Sequence, residues 1–187
     1  MRQGHRQSAP QNSKVSPHQK TALRQVFSEN VQLGPTQRST GEVIAIADSL
    51  ALAFGESQRE AGTALPTSGR VFVSVPNDDK PAVVDLCKRL LGLGFSLCST
   101  VGTQAYLAKK GVVAESVRKV REGGAHIAES ISKREVSMVI CAAGFGDYED
   151  GQVIRRAART TSVPHFTTVE AARMAVSAIE ARAAKPN

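Results

Sequence analysis

Two short runs rich in β-branched and apolar residues, Arg70-Val71-Phe72-Val73-Ser74-Val75 and Phe95-Ser96-Leu97-Cys98-Ser99, flank one amphipathic segment, Pro81–Leu91. Each run ends in a polar loop, Pro76-Asn77-Asp78-Asp79-Lys80 after the first and Thr100-Val101-Gly102-Thr103 after the second. The order strand, polar loop, helix, strand, polar loop restricts the chain to an α/β arrangement. In an open parallel sheet both loops leave the carboxyl ends of their strands, the edge where ligands bind. Ser74, Lys80, Thr100 and Thr103 are therefore the first residues to which chemistry is assigned.

The alternation continues downstream. A weak strand is expected at Ala114–Val117, a helix from about His126 to Lys133, and a strong strand at Val136–Ala142. A helix at Gly151–Thr160, a strand at Val163–Thr167 and a closing helix over Val169–Ala184 complete the series. Short connections between alternating elements predict a parallel sheet of about five strands with right-handed crossovers and helices on both faces. The run Val136-Ser137-Met138-Val139-Ile140-Cys141-Ala142-Ala143 is almost uniformly apolar. A central strand covered on both sides requires such a run.

Upstream the pattern is thinner. Residues 1–30 are polar, Gln/Ser-rich and basic, with Glu29 as the one acid. They hold too little apolar surface to offset ordering entropy, so a disordered arm is expected. The same acid-poor, Arg-containing composition also occurs in organelle transit peptides. Leu33–Ile46 reads as a turn and a short strand. Ser49–Gly62 reads as a helix, with Leu50, Leu52, Ala53 and Phe54 on or near one face, Asp48 or Ser49 as N-cap and Gly62 as stop. The polar stretch Thr63–Gly69 is a linker by composition. The expected divisions are 1–30, 31–68 and 69–187.

At 187 residues, 41% hydrophobic and 22% charged, the chain can bury a core. Aromatic residues make up only 4%, with no Trp, which leaves little material for stacking on nucleic-acid bases. The net charge of +7 favours anionic ligands, and a phosphorylated metabolite meets that condition as well as a polynucleotide does. Cys87, Cys98 and Cys141 show no paired spacing and are expected as buried free thiols in a reducing compartment. No apolar run reaches the roughly 18 residues of a membrane helix, and no signal-peptide core follows Met1. A cytoplasmic protein without membrane or nucleic-acid partners is expected.

At the second polar loop, Thr100 and Thr103 hydroxyls flank Gly102 where a helix should start. Free amides there make an anion site, and Gly102 lets a phosphate approach the main chain. Ser and Thr also cap helices with no ligand present, so spacing alone leaves both readings open. Lys80, just before Pro81, either reaches back over its loop toward an anion or stays solvated. Lys119, in Arg118-Lys119-Val120-Arg121-Glu122-Gly123-Gly124, either adds a second cation at that edge or belongs to a charged connection. No His/Cys/Asp/Glu set has metal-ligand spacing, and no nucleophile–base set can be assembled. Asp147, Glu149 and Asp150 are expected to complement a helix dipole.

The ordered series Ser74-Val75 with Lys80, Ser99-Thr100 with Gly102-Thr103, Lys119-Val120 with Glu122-Gly123, His126-Ile127, Val153-Ile154-Arg155-Arg156-Ala157-Ala158 and Thr167-Thr168-Val169-Glu170-Ala171-Ala172 resembles the methylglyoxal-synthase-like (MGS-like) domain. Within that superfamily it is most similar to the carboxyl-terminal regulatory domain of carbamoyl-phosphate synthetase large subunits. Leu33-Gly34-Pro35 and Arg38-Ser39-Thr40-Gly41-Glu42-Val43 resemble the end of that subunit's second ATP-grasp unit, so the likeness runs from about Leu33 to Ala183.

The resemblance implies a Rossmann-like fold that binds effectors such as uridine or inosine monophosphate. It places phosphate and ribose contacts at Ser74, Lys80, Thr100, Gly102, Thr103 and Lys119. The base or ribose side falls at Cys141, Ala142 and Ala143, where nucleotide-binding relatives often carry Asn followed by Thr. That departure leaves the effector open. The implied partners are the synthetase's catalytic portions or a second copy, in the pyrimidine and arginine pathways.

The enzymatic alternative is a stand-alone lyase acting on a triose phosphate. That family's catalytic Asp and His have no counterpart in Glu122-Gly123-Gly124-Ala125 or in Phe145–Asp150. The Lys-Thr-Leu-His segment of the related purine cyclohydrolase is also missing. The expectation is a chain with no catalytic residue and no cofactor of its own, from an assembly that makes carbamoyl phosphate with ATP.

Overall fold

The computed structural model describes residues 43–118, 120, 126–142 and 148–184. Lys119 and Ala143, the expected disordered arm and most of the expected turn and strand before Ile46 lie outside the described residues.

Five strands form one parallel sheet: β1 (Arg70–Ser74), β2 (Ser96–Thr100), β3 (Glu115–Val117), β4 (Met138–Cys141) and β5 (His165–Phe166), in the spatial order β3-β2-β1-β4-β5. The helices are α1 (Leu50–Glu60), α2 (Lys80–Gly92), α3 (Val101–Lys109), α4 (Ile127–Ser132), α5 (Tyr148–Thr160) and α6 (Val169–Ala183). A 3-10 turn over Asn77–Asp79 leads into α2, and Pro81 occupies its first turn, where a missing N–H costs nothing. The Rossmann-like α/β class expected from the sequence is the observed one.

β1 and β4 are central and entirely apolar inside. Val71, Phe72 and Val73 are fully buried, as are Met138, Val139 and Ile140. Because side chains alternate across a strand, Phe72, Cys98, Val139 and Cys141 share one face, where they pack with Ile127 and Ile131 of α4 and Ile154 and Ala158 of α5. Val71, Val73 and Ile140 point the other way, toward the face on which α2 contacts β2 and α6 contacts β5. Between those helices, Arg89 grips Glu180 with Nε–Oε1 at 2.8 Å and Nη2–Oε2 at 2.6 Å. That pairing holds the Glu180 carboxyl below its usual range.

Gly69 marks where the chain enters the sheet. Its φ of +113° is a conformation few L residues adopt, and a Cβ there would overlap Ser137 Oγ. Its carbonyl accepts from Ser96 N–H at 3.0 Å, while Ser137 N–H donates to Arg70 O at 2.8 Å. Gly69 thus lets the leading ends of β1, β2 and β4 come together.

Three expectations change in detail. Val43–Ile46 is not a strand: Ile44 and Ile46 are 84% and 93% exposed, and neither sheet edge, β3 or β5, pairs with them. The stripe that α1 buries is Phe54, Ser57 and Gln58, at i, i+3 and i+4, leaving Leu50 55% exposed. The cause is tertiary, because α1 packs on α6 and Phe54 reaches the Phe166 ring with centroids 6.3 Å apart. Ser49 caps α1, accepting from Leu52 N–H at 3.3 Å. Finally, α5 begins at Tyr148 rather than Gly151, so Glu149 and Asp150 lie in its first turn, where carboxylates offset the helix dipole.

Candidate anion site at the strand ends

The register assembles the edge. Ser74 lies opposite Cys141 across β1 and β4, and Val73 lies opposite Ser99, which puts Thr100 beside Ser74. Thr100 in turn lies opposite Val117. The row Val117–Thr100–Ser74–Cys141 therefore crosses four strands at their carboxyl ends. Strand order reverses at β1, with β2 on one side and β4 on the other. Such a switch point opens a crevice between the diverging loops.

Ser74 Oγ and Thr100 Oγ1 are 3.3 Å apart, and Thr100 Oγ1 donates to Thr103 Oγ1 at 3.4 Å. Thr100 and Thr103 are 7% and 2% exposed, so this relay of hydroxyls is largely withdrawn from water. Thr100 is the N-cap of α3, yet its side chain makes no capping bond. The leading amides of α3 thus lack a side-chain acceptor and carry the positive end of the helix dipole. The capping reading left open by spacing does not describe this hydroxyl.

Lys80 converges on the same turn. Its Nζ donates to Gly102 O at 3.0 Å, spanning from the start of α2 to the start of α3. A Cβ on Gly102 would meet Lys80 Nζ at 3.7 Å and no other atom within 4 Å. Lys80 forms no ion pair among the described residues. A cation, helix amides and hydroxyl donors on one edge, with no ion pair to Lys80 among the described residues, suit an oxyanion. None of Ser74, Lys80, Thr100 or Thr103 hydrogen-bonds a histidine or carboxylate among the described residues. Proton transfer needs a positioned base of that kind.

At the end of β4 the groups are less polar. Cys141 is 6% exposed, and the half-buried Ala142 donates its N–H to Ser74 O at 3.1 Å, prolonging the ladder by one rung. All three cysteines are buried, and none forms a disulfide. Burial pushes the Cys98 thiol up to about 11 and the Cys87 thiol up to about 12, so neither is a nucleophile near neutrality. Among the described residues no group of three or more His, Cys, Asp and Glu could hold a metal ion, and no helix is long and apolar enough to cross a membrane.

Sequence reasoning missed one polar group behind this edge. Ser99 Oγ is fully buried with no hydrogen-bond partner among the described residues. The only signal for it is its place between Cys98 and Thr100 in a strand whose both faces are covered.

Residues 82–167, from α2 to just past β5, match the family model of the MGS-like domain. Over these residues the chain is MGS-like. More particularly, it is similar to carbamoyl phosphate synthase large chains. It is 52% identical over 153 residues to that of Myxococcus xanthus (81% of this chain, 14% of the relative). The large chain of Mesorhizobium japonicum is 44% identical over 153 residues (81% and 13%). The carbamoyl phosphate synthase large chain, C-terminal section, of Methanopyrus kandleri is 41% identical over 150 residues (79% and 28%). The chain thus spans a small part of the length of these relatives.

Proposed function

We propose that this chain is the regulatory domain of a carbamoyl phosphate synthase large chain, as part of that subunit or split from it, and that it binds a phosphorylated small-molecule effector resembling uridine or inosine monophosphate. The observation that carries the reading is Lys80 Nζ seated on Gly102 O above the uncapped start of α3, beside the linked hydroxyls of Ser74, Thr100 and Thr103. The phosphate takes the α3 amides and Lys80, with Lys119 as a second cation, and the rest of the ligand extends along β1 and β4 toward Cys141, Ala142 and Ala143. Binding biases how the domain packs against the catalytic portions in the cytoplasm, a coupling typically worth about 1–3 kcal/mol. In this reading residues 1–30 are a leader, 31–68 derive from the end of an ATP-grasp unit and 69–187 form the effector domain. Carbamoyl phosphate synthesis, feeding pyrimidine and arginine production, belongs to the whole assembly.

Calorimetric titration with uridine and inosine monophosphates tests the reading. At least one should bind, and Lys80→Ala and Thr103→Ala should each weaken it tenfold or more. Absence of binding by both nucleotides, or variants that bind as the parent does, overturns it. Methylglyoxal formation from dihydroxyacetone phosphate would establish the lyase reading instead.

A further inference from the structure

Asp79, the N-cap of α2, makes no side-chain capping bond, so the turn that carries Lys80 begins without the local brace of a capped helix. Val83 is fully buried and seats this turn against the core. Among the described residues two side-chain hydrogen bonds join the turn to other elements. Lys80 Nζ donates to Gly102 O at 3.0 Å, and Arg173 Nη2 of α6 donates to Ala82 O at 2.9 Å. α6 follows β5, whose carboxyl end lies at the same edge of the parallel sheet as that of β1. Arg173, the fifth residue of α6, is thereby brought to the start of α2.

Arg173 belongs to a stripe. Arg173, Ser177 and Glu180 stand at i, i+4 and i+7 on α6, one face of a helix, and each bonds α2. The donors run in opposite directions at the two ends. Arg173 donates from α6 to the first turn of α2, whereas Arg89 donates from the last turn of α2 to Ser177 at 2.9 Å and to Glu180 at 2.6 Å. α2 is therefore clamped to α6 at both ends, and the Arg173 end is the one that bears a group of the anion site. Ala82 lies two residues beyond Lys80, so a charged donor on its carbonyl fixes the backbone from which the lysine extends. A lysine stem is flexible, and which of its conformations reach the α3 turn depends on where its Cα stands.

We infer, on the reading of this edge as an effector site, that Arg173 is a positioning residue for it: by holding the first turn of α2 through the Ala82 carbonyl, Arg173 sets Lys80 over the start of α3 and acts on the ligand only through that lysine. Without the bond to Ala82 O the uncapped turn loosens, and Lys80 rests on Gly102 O for less of the time. The anion then meets a cation that must first be ordered, and ordering a long side chain at a binding site opposes binding.

Two measurements on the full chain test this, the first without ligand. In isotope-labelled protein the Gly102 carbonyl carbon is observed by NMR through the Thr103 amide. Lys80→Ala should shift that carbon, and Arg173→Met should shift it the same way, with no further change when the two are combined. Arg89→Met, which frees the other end of α2, should leave it in place. The second measurement is calorimetric titration of the same variants with uridine and inosine monophosphates. Arg173→Met should weaken binding about three- to tenfold, the loss of part of one charged hydrogen bond, and should leave the residual affinity of Lys80→Ala unchanged. A Gly102 carbon unmoved by Arg173→Met, or moved as far by Arg89→Met, overturns the assignment. So does an Arg173→Met effect on affinity that persists in the Lys80→Ala background, because Arg173 would then act on the ligand directly. If neither nucleotide binds the parent while the Gly102 carbon behaves as expected, the effector reading fails and Arg173 still positions Lys80.

Discussion

Gly102→Ala separates the two demands made on the α3 turn. Gly102 is the second residue of the helix, and the one atom a new methyl would meet is Lys80 Nζ at 3.7 Å, an ordinary contact at the end of a flexible side chain. Its φ lies outside the left-handed region, so alanine adds no backbone strain. Alanine is also the better helix former, by up to about 1 kcal/mol in an interior position. Stability should therefore hold or rise slightly. Ligand binding should move the other way. A phosphate oxygen accepting from the Gly102 amide must come within about 3 Å of it, and a methyl group stands on that approach. Loss of one charged hydrogen bond, about 1.5–3 kcal/mol, corresponds to a roughly tenfold to hundredfold weaker complex. Urea unfolding gives the first quantity and calorimetric titration with the nucleotide that the parent binds gives the second. If the variant binds with parental affinity, the phosphate does not use this turn. If it unfolds, the packing around Gly102 has been misjudged.

Other substitutions probe the frame around the site. Gly69→Ala should destabilise the domain by about 1–3 kcal/mol from backbone strain alone, and the overlap with Ser137 Oγ adds to that. Adding Ser137→Gly should recover only the steric part, measured by denaturant midpoints. Ser99→Ala removes a buried hydroxyl that has no partner among the described residues and should be neutral or stabilising by up to about 1 kcal/mol; a loss beyond that would mean the hydroxyl is satisfied. His165, whose pKa is lowered on folding from 6.5 mainly by burial, binds its proton more readily in the unfolded chain. Its contribution is therefore full above about pH 6.5 and is lost as pH falls toward the lower folded value. His165→Gln should show a smaller drop in stability between pH 7.5 and pH 5.5 than the parent does, and equal drops would place the acid sensitivity elsewhere.

Much of the architecture was legible because its causes are local. Apolar runs bounded by turn formers located β1, β2 and β4, and helical periodicity with Pro81 located α2. The polar loops after β1 and β2 pointed to Ser74, Lys80, Thr100 and Thr103, since a parallel strand delivers such loops to one edge whatever its neighbours. Where neighbours matter, the local pattern misled. Leu50 and Ile44 are as apolar as Phe54, but only Phe54 finds a surface, because α6 and Phe166 provide it.

By itself the sequence determined an alternating α/β chain with hydroxyls, a glycine and a lysine at strand ends, because hydrophobic period and turn chemistry act over a few residues. Tertiary structure alone decided that β4 lies against β1, so that Cys141 stands beside Ser74, with Thr100 on its other side. It also decided that Lys80 rests on Gly102, and that Arg173 reaches Ala82. Pairing order, register and burial depend on contacts between residues tens of positions apart, and periodicity carries no record of which distant partner a strand or side chain will meet.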